Sequence, residues 1–135
     1  MRFLTAKVTT GLVAMHLAAA VWHGSAHTQL AIALPPAKSA FVYLVILLAP
    51  LVAASLVWSR HFRAGVWVFF LSMLEAFLFG AYHHYVLVSP DHIGHLPGGS
   101  ADARSAFIAS AGVIALLELA SALYGAFVLF TRRTQ

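Results

Sequence analysis

Four apolar runs, each about 20 residues long or longer, make up most of the chain. They cover about residues 5–30, 39–59, 64–88 and 105–130. An apolar run of roughly this length can cross a bilayer as a helix. Hydrophobic residues make up 61% of the chain and charged residues only 9%, a balance that excludes an ordinary soluble domain. The sequence therefore predicts an all-α fold: one integral membrane domain over residues 1–135, arranged as a four-helix up-and-down bundle.

Basic residues indicate how the helices are oriented. Most of them precede the first run, lie in the second connection or follow the last run: Arg2, Lys7, Arg60, Arg63, Arg132 and Arg133. By the positive-inside rule, both termini and the second connection are cytoplasmic. We therefore predict a multi-pass protein of a bacterial-type inner (plasma) membrane, with the lipid bilayer as its surroundings. The basic residues form no stripe, so the net charge of +4 does not indicate a nucleic-acid partner.

Helix-breaking residues mark the connections. The segment of about residues 89–104 contains Pro90, Pro97, Gly98 and Gly99, too many breakers for a continuing helix. It is predicted to be an outer loop, and Ser100 or Asp102 can cap the fourth helix. Pro50 lies inside the second run, where it is expected to interrupt or kink the helix.

Ionisable residues inside the apolar runs are the main functional signal. Burying such groups in hydrocarbon is costly, and they usually mark functional sites. On the first helix His16, His23 and His27 lie along one stripe together with Ala20. The fourth helix carries Glu118 within a stripe of small residues. On the third helix Ser72, Ala76, Gly80 and His84 follow a spacing of four, with Glu75 and His83 on the flanks.

Depth along the helices sorts these residues into two layers, because each residue advances a helix by about 1.5 Å. The inner layer contains His16, Glu75 and Glu118. The outer layer contains His23, His83 and His84, and His27, His92 and His95 lie above it as an entrance.

Both layers carry side chains that bind transition metals. Imidazole suits copper, zinc and iron, and carboxylates shift the preference towards iron, manganese or zinc. The predicted metal ligands are His16, His23, Glu75, His83, His84 and Glu118. His83 and His84 are adjacent and point about 100° apart, so they cannot easily share one ion, and we expect His23 to pair with His83. The chain contains no cysteine, which excludes thiolate ligands.

A second metal site is predicted in the outer loop. Asp91, His92 and His95 are close in sequence, and Gly94 allows the chain to turn between them. Such a site could collect a metal ion and pass it to His23 and His83. The function predicted from these residues is metal handling, or an accessory role in a redox complex, at a site near the outer face.

Three alternative functions stay open. In the first, His23 and either His83 or His84 are the axial ligands of a b-type haem, since the first and third helices lie diagonally in such a bundle. In the second, Glu75, Glu118 and His16 relay protons in a transport subunit. In the third, the chain is a structural subunit that docks on other membrane subunits or on further copies of itself. No soluble-enzyme motif is present, so the sequence leaves catalysis open.

The N-terminal segment also resembles a signal peptide. Arg2 and Lys7 precede an apolar stretch, and the small residues Gly24-Ser25-Ala26 follow it. Cleavage after Ala26 would leave His27 as the first residue. His16 and His23 are poor residues for a discarded apolar segment, so we expect the helix to be retained.

Overall fold

The computed structural model describes residues 1–131, which form four helices: α1 (Arg2–Gln29), α2 (Pro36–Leu56), α3 (Phe62–Val86) and α4 (Ala101–Thr131). Each helix is long and apolar enough to cross a membrane, and these residues contain no β-strand. The all-α class and the four membrane-length helices are therefore confirmed. Helix α4 begins at Ala101 rather than near residue 105. Arg132 and Arg133, which contributed to the predicted orientation, lie outside the described residues.

The helices alternate in direction. Helix α4 packs against α1 and α3, and α3 packs against α2. At one end of the molecule, a core cluster contains Ala6 from the start of α1 and Phe62 from the start of α3. The same cluster contains Val57, just after α2, and Leu129 from the end of α4. At the other end, Ala26 near the end of α1 packs with Phe107 near the start of α4. Helices α1 and α3 are therefore diagonal, and their side chains meet in the centre of the bundle.

Two π-helical segments widen the helices near one end of the bundle. They are Val42–Leu48 in α2 and Tyr82–Val86 at the end of α3. Pro50 follows the first segment. A proline ring clashes with the carbonyl four residues earlier, and here the Ala49 N–H bonds instead to the carbonyl of Leu44, five residues back. The predicted interruption at Pro50 thus takes the form of a wider helical turn, a feature often found near functional sites.

The connection between α3 and α4 folds back over the end of the bundle. Its Asp91 and Leu96 are buried, and the Ile93 N–H donates to the carbonyl of His84 at 3.0 Å. Of the two predicted caps, Ser100 is the one used, since its Oγ accepts from the Ala103 N–H at 3.1 Å. The connection therefore brings a carboxylate to the ends of α1 and α3.

Buried polar residues lie between the apolar core clusters. The middle cluster contains Val13, Phe69 and Met73, and the cluster at the end covered by the loop contains Ala26 and Phe107. Between them lie the buried side chains of His16, His23, His84, Ser110 and Glu118. Because buried polar groups cost free energy unless they are hydrogen-bonded, their partners indicate what this layer does.

Candidate metal centre

Three histidines from two helices meet at one point. His23 and His27 are four residues apart on α1 and therefore share a face, and His84 reaches them from α3. The Nε2 atom of His23 lies 3.2 Å from Nε2 of His84 and 3.2 Å from Nε2 of His27. All three ligand nitrogens lie within 4.8 Å of one another, so this cluster, the histidine triad, could hold a metal ion.

Hydrogen bonds on the far side of two of the rings favour one tautomer. When Nδ1 of His23 carries the proton, it donates to Ser110 Oγ at 2.9 Å, and Ser110 Oγ donates in turn to the carbonyl of Phe107 at 3.1 Å. Nδ1 of His84 donates to the carbonyl of Asp91 at 2.9 Å. With the proton on Nδ1, each neutral ring presents the lone pair of Nε2. Both lone pairs therefore face the centre of the triad.

In this tautomer a positive charge at the centre stabilises the triad. Two acceptor nitrogens cannot hydrogen-bond to each other, and at 3.2 Å their lone pairs repel. A metal bound tetrahedrally with bonds of 2.0–2.1 Å separates its nitrogen ligands by about 3.3 Å, which is close to both observed distances. Metal-bound histidines usually donate their other N–H to a carboxylate or a carbonyl, as His84 does here. Two of the three nitrogen separations in the triad, and its supporting hydrogen bonds, thus match a metal site.

Asp91 supplies negative charge beside the triad. Its Oδ1 lies 3.2 Å from Nε2 of His27 and 3.4 Å from Nδ1 of His84. Burial alone raises the pKa of this carboxyl, but the hydrogen bond with His84 and the proximity of His84, His27 and His23 bring the pKa below its ordinary value. Asp91 is therefore ionised at neutral pH, and its negative charge stabilises a cation at the triad.

A second buried pair lies deeper in the bundle. Nε2 of His16 is 3.1 Å from Oε1 of Glu118, and the two side chains are 0% and 3% exposed. This contact joins α1 to α4. The predicted inner layer therefore contains a real contact between His16 and Glu118, whereas the third member, Glu75, is exposed on the outside of α3.

A cavity of about 350 Å³ lies beside both sites. The three histidines of the triad, Asp91 and Glu118 all line it. Apolar residues of α2, among them Val42, Ile46 and Leu47, form the facing wall. The histidines thus face a cavity whose volume falls in the range of small-molecule sites.

The remaining predicted ligands lie apart from the triad. His83 contacts Phe79, with 4.2 Å between ring centroids, and its Nδ1 bonds to the Phe79 carbonyl at 2.9 Å. The structure therefore brings His84, not His83, to His23. In the loop, Nδ1 of His92 and Nδ1 of His95 are 3.1 Å apart, but Asp91 points away from them towards His27 and His84. The loop residues thus divide between two places.

His27 is the ligand that the sequence prediction assigned to a different role. It was expected in the entrance above the outer layer, yet it lies in the triad. The signal that could have identified it is its spacing of four residues from His23, the spacing by which two histidines on one helix reach a common ion.

The geometry favours a single ion over haem. Axial nitrogens on opposite sides of one iron are about 4 Å apart, given bonds of about 2 Å, and the macrocycle lies between them. His23 and His84 are closer, at 3.2 Å, and His27 occupies the adjoining space. The three rings therefore surround a point and leave no plane for a porphyrin.

No protein-family model matches the chain. Searches of the curated proteins and of the solved structures also give no match. The functional inference therefore comes from the geometry of the triad, Asp91, Glu118 and the cavity.

Proposed function

We propose that this protein is a multi-pass membrane protein that binds one transition-metal ion through Nε2 of His23, His27 and His84. The observation that carries the proposal is the convergence of the three rings, with Nε2 of His23 at 3.2 Å from Nε2 of both His27 and His84. The Asp91 carbonyl and Ser110 orient the rings of His84 and His23. Three nitrogen ligands suit zinc, copper or iron, and the triad borders the cavity.

Titration of the metal-free protein tests this proposal. We expect full-length protein, purified in mild detergent and stripped with a chelator, to bind one equivalent of Co²⁺ with the visible absorption of a tetrahedral site. Zn²⁺ should displace the cobalt. His23→Ala should abolish the signal, because this ring contacts both other histidines. His92→Ala, which removes the loop pair, is the matched control and should bind normally. Equal binding by wild type and His23→Ala would overturn the proposal.

A proton relay is the second candidate function. A proton shared between His23 and His84 would also relieve the lone-pair contact, and the His16–Glu118 pair borders the same cavity. In that case the purified protein takes up no Co²⁺ or Zn²⁺, yet protein in vesicles conducts protons and loses this conductance in Glu118→Gln. The metal titration therefore separates the two functions.

The contribution of Asp91 gives a further prediction. Asp91→Ala should weaken metal binding by about 10–100-fold, because it removes the negative charge beside the ion and losing a partner next to a metal ligand usually costs this much. Stoichiometry should stay at one ion, because the three nitrogens remain. Competition with a chromophoric chelator measures the affinity. Asp102→Ala, an exposed acidic residue in the first turn of α4, is the control. An Asp91→Ala protein with wild-type affinity would show that the carboxylate does not stabilise the bound ion.

A further inference from the structure

The cavity beside the triad is lined by two polar groups and by apolar residues. One polar group consists of the three histidines and Asp91, and the other is Glu118. Oε1 of Glu118 contacts His16, whereas among the described residues none hydrogen-bonds to Oε2. A side chain at Gly80 would begin 3.8 Å from Oε2 of Glu118 and 3.8 Å from Cδ2 of His84. Gly80 therefore leaves open the space beside both polar groups.

The cavity reaches the surface of the protein between α1 and α2. The main contact between these helices is made by Ala49–Leu56, the second half of α2. Alongside the first half, Gly24 of α1 and Tyr43 of α2 line the cavity and are both exposed. A Cβ atom added to Gly24 meets no atom within 4 Å. Since both residues lie within membrane-length helices, this opening faces the lipid in the proposed membrane orientation.

The opening, the apolar wall and the polar groups of the cavity together restrict the chemical class of ligand that it can bind. A molecule that enters from the lipid must be lipid-soluble, and the wall of Ile46, Leu47 and Phe79 requires an apolar body. A ligand with two oxygens can reach both Glu118 and the triad. The volume of about 350 Å³ suits a single substituted ring with its tail left outside. An acyl chain would pack against the apolar wall but leave both polar groups unpaired, which is costly.

We infer that the cavity binds a quinol headgroup, with one hydroxyl donating to Oε2 of Glu118 and the second directed to the triad. This site goes beyond metal binding, because Glu118 and the apolar wall have no role in holding the ion. Any isoprenoid tail leaves through the opening between Gly24 and Tyr43.

Calorimetric titration of the full-length, detergent-purified protein tests the inference. The probes are duroquinol and durene, which have the same ring and methyl groups but differ in the two hydroxyls. The protein is titrated both metal-free and loaded with Zn²⁺. Zinc is chosen because it does not oxidise the quinol during the titration. We expect saturable binding of duroquinol and none of durene. Equal binding of both probes would mean a nonspecific apolar cavity, and no binding of duroquinol to either sample would overturn the inference while leaving the metal result intact.

Two glycines of α1 supply matched variants. Gly11 and Gly24 each have no atom within 4 Å of an added Cβ, but only Gly24 lines the cavity. Gly24→Trp should abolish duroquinol binding and Gly11→Trp should not. Gly80→Leu, which fills the space beside Glu118, should also abolish it. Unchanged melting temperature and elution volume show that the variants fold. Wild-type binding by a folded Gly24→Trp protein would contradict entry through this opening.

Discussion

His84→Ala should abolish tight metal binding, whereas His83→Ala should retain one bound ion per chain. The two histidines are consecutive on the same π-helical turn and are almost equally buried, at 7% and 8% exposed. They differ in direction, since His84 faces His23 at 3.2 Å and His83 lies on Phe79. Changing an orienting group costs about 10–100-fold in affinity, so removing a ligand should cost at least about 100-fold.

Elemental analysis after dialysis and cobalt titration of both variants give the measurement. His83→Ala loses its contact with Phe79 and its bond to the Phe79 carbonyl, so it controls for the general effect of shortening a buried histidine. Loss of metal from both variants would indicate that the π-helical turn Tyr82–Val86 has unfolded. A lowered melting temperature of both variants would show this. Retention of metal by a folded His84→Ala protein would exclude the triad as the binding site.

The sequence was sufficient to predict the helices, because their signal is local. Runs of apolar residues gave all four helices, and Pro90, Pro97 and Ser100 marked the connection before α4. The stripes on each helix were also informative. On α3, Ser72, Ala76 and His84 are all buried, as their spacing of four indicates.

Side-chain direction at the site was harder to predict, since it depends on the rotation of each helix in the bundle. Neighbouring residues point about 100° apart, so a small rotation decides whether His83 or His84 faces α1. His84 belongs to the stripe of small and polar residues on α3 that includes Gly80. This stripe indicated more reliably than depth alone that His84, not His83, faces the centre of the bundle. The π-helical turn at Tyr82–Val86 has no clear signal in the sequence.

The loop raises a different difficulty. Asp91 is adjacent to His92 in sequence and was predicted to share an ion with it. In the structure Asp91 turns inwards, where its Oδ1 lies 3.2 Å from a ring nitrogen of half-buried His27 and 3.4 Å from one of buried His84. Residues that are close in sequence, such as Asp91 and His92, are able to contact each other. Whether they do so depends on competing contacts with residues of other helices, which the sequence does not show.

Glu118→Ala should destabilise the protein by about 3 kcal/mol. Removing one partner from a buried pair leaves the other polar group without compensation, and here His16 is fully buried. Glu75→Ala is the matched control, since Glu75 is a glutamate near the middle of α3 that is exposed on the outside of the bundle. It should change stability by no more than about 0.5 kcal/mol. Reversible denaturation in mixed micelles gives the free energies.

A double substitution tests whether His16 and Glu118 stabilise the protein through their mutual contact or only by filling space in the core. His16→Leu with Glu118→Leu removes both polar groups together, and replacing a whole buried pair by apolar residues is often neutral or stabilising. The double variant should therefore be more stable than either single leucine variant, with a coupling free energy above about 1 kcal/mol. Additive losses would mean that the 3.1 Å contact contributes little, and that Glu118 is retained for the ligand that its free oxygen faces. Both outcomes can be compared directly with duroquinol binding by Glu118→Gln, which keeps the shape of the side chain and replaces its carboxyl group by an amide.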